Sequence, residues 1–77
     1  MDLQQFISDF YNEFLDTPET SFNSSTQYKD LEEWDSVLAL SIISMIDENY
    51  GKRISGNELR NCNTIEDLFN VINNSKP

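Results

Sequence analysis

The strongest constraint on this chain is the run from Ser36 to Tyr50, SVLALSIISMIDENY, which holds no proline or glycine and is apolar around most of its circumference before stopping at Gly51. Fifteen such residues fit a long helix, and glycine is the residue that most cheaply takes the left-handed conformation closing a helix. The spacing therefore predicts a central helix over 36–50. Two stripes can be read on it: Val37, Leu40, Ile43, Ile46 and Tyr50, and Leu38, Ile42 and Met45. One is expected to pack inward while the other is incompletely covered, and we expect Leu38 and Met45 to lie on the side open to partners.

The remaining elements are shorter. Leu3, Phe6, Ile7, Phe10, Tyr11 and Phe14 follow the three-and-four spacing of an amphipathic helix, which predicts a first helix from about Asp2 to Leu15, ending before Thr17-Pro18. Residues 16–34 show no helical or alternating period and carry isolated Phe22, Tyr28, Leu31 and Trp34, so they read as a loop pinned by apolar anchors. Ser55-Gly56-Asn57-Glu58 matches a capping box flanked by the apolar pair Ile54 and Leu59, predicting a short third helix to about Asn61. Thr64 with Asp67 starts a fourth helix, whose face is Ile65, Leu68, Phe69 and Ile72, and Asn73 to Pro77 are expected to fray. The expected fold is all-α: a small four-helix bundle with a short third helix and a long loop between helices one and two. Residues 1–77 are expected to form a single domain.

Charge and composition narrow the function. Fourteen acidic against five basic residues give −9, which opposes binding to nucleic-acid phosphates or anionic lipid and favours basic protein partners. The imbalance is concentrated in residues 1–51, where eleven acids face Lys29 alone. With no histidine and one cysteine, Cys62, the chain cannot build a His/Cys metal cluster, a His-assisted triad or an internal disulfide. Cys62 reads as a small half-buried apolar residue. We expect no membrane insertion, no metal, a monomer and, for want of a signal-peptide pattern, a cytoplasmic location.

One segment offers chemistry. Ser36 stands at the expected start of the central helix, where unpaired amides and the positive end of the helix dipole would favour a phosphate attached to its hydroxyl. Ser and Asp are also the commonest helix caps, so Asp35-Ser36 alone decides nothing. The set is more specific: Trp34-Asp35-Ser36-Val37, Asp47-Glu48-Asn49-Tyr50-Gly51, Ile54 and Thr64-Ile65-Glu66-Asp67-Leu68, in this order within 77 residues.

These motifs resemble those of the acyl and peptidyl carrier protein family, over nearly the whole chain. The resemblance implies a four-helix fold, a 4′-phosphopantetheine arm attached from coenzyme A to Ser36, and Asp35 as the adjacent acid used in recognition by the modifying transferase. Val37 stands where the family usually has Leu or Met, and Leu38 and Ser41 stand where fatty-acid-synthesis carriers commonly have acids. On this reading the chain is no enzyme. It is a stand-alone carrier of acyl thioesters, in fatty acid or polyketide biosynthesis, that serves phosphopantetheinyl transferase and loading or transferring enzymes with basic surfaces. Asp47 and Glu48 would steer those partners, and Val37, Leu38 and Met45 would grip them. Two alternatives stay open: a carrier of aminoacyl groups, such as a D-alanyl or peptidyl carrier, and an unmodified acidic helical interaction or decoy protein.

Overall fold

The computed structural model describes residues 2–74. Its helices are α1 (Leu3–Tyr11), α2 (Ser36–Tyr50), α3 (Gly56–Asn61) and α4 (Ile65–Asn74), and no strand occurs among the described residues. The architecture is the expected all-α one, a small helical bundle. Helix α1 packs on α2 and α4, and α2 packs on α3. No helix among the described residues is long and apolar enough to cross a membrane.

Each helix end has a local cause. Asp2 caps α1 by accepting from Gln4 N at 3.1 Å, and Asp35 caps α2 by accepting from Leu38 N at 2.8 Å. Gly51 closes α2 at φ +65°, its N–H donating to the Asp47 carbonyl. In α3 the capping box is complete: Glu58 N donates to Ser55 Oγ at 3.1 Å and Ser55 N to Glu58 Oε1 at 3.0 Å. Thr64 and Asp67 make the matching pair at the start of α4.

Helix α1 stops four residues earlier than the periodicity predicts. Beyond Tyr11 the chain tightens into two i→i+3 bonds, Glu13 N to Phe10 O and Phe14 N to Tyr11 O, which keep Phe14 in the core. The next three amides, of Leu15, Asp16 and Thr17, then donate to the Glu33 carboxylate instead of to carbonyls one helical turn back. At the other end of the chain Asn73 and Asn74 remain helical, and the rest of the segment expected to fray lies outside the described residues.

The connection from Asn12 to Asp35 contains two 3-10 turns, Glu19–Ser21 and Tyr28–Asp30. Phe22 and Tyr28 are buried with Phe10 and Phe14, their rings meeting at centroid distances of 4.8 Å (Phe14–Phe22) and 5.4 Å (Phe10–Tyr28). The loop also satisfies helix ends it does not belong to. Tyr28 OH donates to the Leu59 carbonyl at 2.5 Å and to that of Cys62 at 3.3 Å, while Lys29 Nζ donates to the Arg60 carbonyl at 2.5 Å. The Thr26 and Ser24 carbonyls accept from Ile65 N and Glu66 N, the first donors of α4. Cys62, between α3 and α4, is buried, and its burial raises the thiol pKa.

Burial likewise pushes the phenols of Tyr28 and Tyr50 well above their ordinary 10.0. A raised folded pKa means their contribution is complete below pH 10 and lost as pH rises further. Tyr28→Phe keeps the ring but strands two carbonyls, so it should lower stability by about 1–3 kcal/mol. Urea titration should show a lower midpoint at an unchanged slope; an unmoved midpoint would mean that the hydroxyl does not hold α3.

Candidate functional site

The start of α2 is delivered by the end of the loop. Trp34 N donates to the Leu31 carbonyl at 3.0 Å, and its ring lies parallel to Phe10 (2° between planes, centroids 6.4 Å apart) and edge-on to Tyr28 at 5.0 Å. With its neighbour fixed, Asp35 sits in extended backbone and takes the N-cap position, using Oδ1. Ser36 is consequently the first helical residue, exposed, and its hydroxyl is not needed as a cap. Among the described residues neither Ser36 N–H nor Val37 N–H has an acceptor, as expected for the first turn of a helix. The site thus combines a free primary hydroxyl, unpaired amides and the positive end of a fifteen-residue helix.

Two surfaces flank the serine. Toward α3 lies a cavity of about 440 Å³ bordered by Trp34, Ala39, Ile43 and Leu59, with Lys29 and Arg60 also on its wall. On the other side, toward the end of α1, are three large apolar residues left exposed: Leu15 (90%), Val37 (70%) and Leu40 (65%). Val37 shares one depression with Leu15, Glu33 and Asp35, and another with Leu40 and Glu48, and Glu13 borders both.

This arrangement corrects the expected docking face. Leu38 and Met45 are core residues, 8% and 3% exposed, and with Ile42 they form the inward stripe of α2. They form the floor of the depressions, not a surface for a partner. The incompletely covered stripe is the other one, and only over its first turns: Val37 and Leu40 are open, whereas Ile46 is fully buried. Asp47 and Glu48 are both exposed, but only Glu48 borders the depression that holds Val37 and Leu40. Leu38 being buried, its non-acidic character says nothing about the charge of the outer face.

A clamp within the loop completes the picture. Glu33 accepts from Leu15 N (2.7 Å), Asp16 N and Thr17 N (3.0 Å each) and Thr17 Oγ1 (2.8 Å), which ties the segment after α1 to the one before Ser36 and presents Leu15 beside Val37. No short-range pattern links positions sixteen to eighteen apart, so this clamp has no sequence signal.

The phosphopantetheine attachment site family model matches residues 5–72. Spanning nearly the whole chain, the match shows that it belongs to this family of phosphopantetheine-carrying carrier proteins, whose members bear a covalently attached 4′-phosphopantetheine and serve partner enzymes as cosubstrate carriers rather than as catalysts. Comparison with curated proteins and with solved structures gives no significant match. The residues at the start of α2 fit such a group: an exposed hydroxyl to attach it, first-turn amides for its phosphate, and an adjoining cavity.

The Glu33 hydrogen bonds, that from Leu15 N foremost, hold its carboxyl below the ordinary 4.5. A lowered folded pKa means that its contribution is complete above 4.5 and lost as pH falls through the folded value. Glu33→Gln should therefore lower the melting temperature at pH 7 and speed amide exchange at residues 15–17. In acid, where the wild-type carboxyl is protonated too, the two proteins should converge. A constant difference across pH would mean that the charge is not what holds this loop.

Proposed function

We propose that Ser36 is the attachment point of the arm and that the chain carries acyl groups on it as thioesters. The observation that supports this best is that Asp35 takes over the capping role, which leaves the Ser36 hydroxyl free and exposed inside the matched region. In the loading step Ser36 Oγ bonds to the phosphorus that bears pantetheine in coenzyme A. The pyrophosphate P–O bond breaks, adenosine 3′,5′-bisphosphate leaves with the electron pair, and the serine proton passes to a base on the transferase. The arm then supplies the thiol that forms the thioester, a group absent from the chain's own exposed surface because Cys62 is buried.

Partners would meet the Leu15, Val37 and Leu40 patch, with Glu13, Asp35 and Glu48 around it and Asp47 on the adjacent surface. Acids at the rim speed encounter with a basic surface, and apolar side chains at the centre slow release. A carrier that passes its cargo from enzyme to enzyme needs the first without excess of the second.

With coenzyme A, magnesium and a broad-specificity transferase, intact mass should rise by one phosphopantetheine, and Ser36→Ala should abolish the increase while leaving the helical circular dichroism unchanged. An increase that persists in the alanine variant would remove Ser36 from the role.

Docking has its own measurement, binding kinetics against the transferase. Asp47→Asn with Glu48→Gln should lower the on-rate and its salt dependence. Val37→Ala should raise the off-rate by up to about fifteenfold, from the loss of two buried methylene equivalents at ~0.8 kcal/mol each. Leu38→Ala should instead cost about 2–5 kcal/mol of folding stability, because its side chain is in the core. An on-rate indifferent to the acids at low salt would move the docking face elsewhere.

A further inference from the structure

The cavity beside Ser36 departs in charge from the rest of the chain. Of five basic residues set against fourteen acids, two border it, Lys29 from the loop and Arg60 from α3. Both are held in place. Lys29 Nζ donates to the Arg60 main-chain carbonyl at 2.5 Å, which leaves two of the three ammonium hydrogens for another acceptor. The Arg60 guanidinium folds back along α3, donates to Asn57 Oδ1, and passes over Gly56, itself part of the cavity wall, at 3.5 Å from the point a Cβ would occupy there. Its other donors remain in a fixed fork suited to a carboxylate or phosphate. Asp35, the acid on the same wall, has Oδ1 committed to Leu38 N. Apart from these residues, Ser36 and Gly56, the wall is apolar, made by Trp34, Ala39, Leu40, Ile43 and Leu59, and the volume of about 440 Å³ falls in the ~300–1,000 Å³ range of small-molecule sites.

We infer that this cavity binds an oxyanion borne by the arm, with Lys29 and Arg60 as its ligands and the apolar wall receiving the carbon chain between. This rests on the carrier reading, and where the oxyanion is the end of the cargo it adds to that reading a class of cargo, acyl groups that end in a carboxylate. The oxyanion has two possible sources, the terminal carboxylate of the cargo and the phosphate of the arm itself. An uncharged acyl chain that differs only in lacking the terminal carboxylate would gain the apolar wall and nothing from the cations. An anion that reached the wider acidic surface would be repelled, so the two cations make the cavity the favoured place for a negative end.

The test uses the full chain in four forms prepared by transferase loading: unmodified, with the bare arm, with a butyryl arm and with a glutaryl arm. Intact mass comes first. Failure to take up the arm at all would overturn the carrier reading, whereas uptake followed by no response below would overturn this inference alone. The readouts are the Arg60 side-chain Nε–Hε and Lys29 Nζ resonances and the melting temperature. A carboxylate ligand is shown by shifts and a higher melting temperature in the glutaryl form that are absent from the bare-arm and butyryl forms. A phosphate ligand is shown by shifts already present with the bare arm. Either response should be lost in Lys29→Gln and Arg60→Gln, be retained in Lys29→Arg, and fade with added salt. Equal behaviour of the butyryl and glutaryl forms, with no change between the unmodified and bare-arm forms, would overturn it. Circular dichroism and continued arm uptake by each variant separate loss of binding from loss of fold.

Discussion

Tyr28 is the residue on which the arrangement depends. Its ring is wholly buried among Phe10 and Trp34, and its hydroxyl reaches the carbonyls of Leu59 and Cys62 thirty-one and thirty-four residues away. The same stretch of loop caps helices at both of its faces: Lys29 holds the Arg60 carbonyl, and the carbonyls of Ser24 and Thr26 take the first amides of α4. A six-residue helix such as α3 is far below the ~12–15 residues at which isolated helices become even marginally stable. It exists because its first turn carries a capping box and its last turn is bound by the loop. The loop is ordered in turn by those same bonds and by Glu33. The twenty-four residues that separate α1 from α2 are thus part of the bundle, and they aim Asp35 and Ser36.

What the sequence reveals follows from how local each cause is. The central helix was legible over 36–50, because a run without Pro or Gly, ended by Gly51, is a property of adjacent residues. The capping pairs Ser55–Glu58 and Thr64–Asp67 were legible for the same reason, as was the apolar face of α4. The premature end of α1 was not, since the competitor for the amides of Leu15 to Thr17 is a carboxylate in a different part of the chain. The direction in which α2 faces was hidden for a related reason. A helix apolar on most of its circumference has no polar stripe to mark its outside, and Leu38 and Met45 are turned inward by where α1 and the loop happen to lie.

At the candidate site, the residue types were legible and their division of labour was not. Asp35 and Ser36 are both competent helix caps, and only the geometry assigns the cap to one of them. That assignment matters chemically. A serine used as a cap has its oxygen turned into the helix and engaged with an amide. A serine one position on stands at the same positive helix end with its oxygen in solvent. Asp35 and Ser36 therefore read physically as a pair in which the acid stabilises the helix so that the hydroxyl need not.

Helix α2 then presents two unlike surfaces on either side of Ser36. Val37 belongs to the open side, with Leu15, Glu13 and Glu48 nearby, while Ala39 and Ile43 belong to the wall of the cavity that contains Lys29 and Arg60. Residues two apart on a helix point roughly 200° apart, so Val37 and Ala39 cannot share a face, and Leu40 falls between them. Leu40 in fact borders both surfaces while 65% of it stays exposed. An apolar ridge of this kind separates an acidic outer face from a cavity with two cations on its wall. Truncating Leu40 would open the ridge from both sides at once, whereas changes at Val37 or Ile43 touch one side each. The two surfaces are consequently separable by substitution everywhere along α2 except at this position.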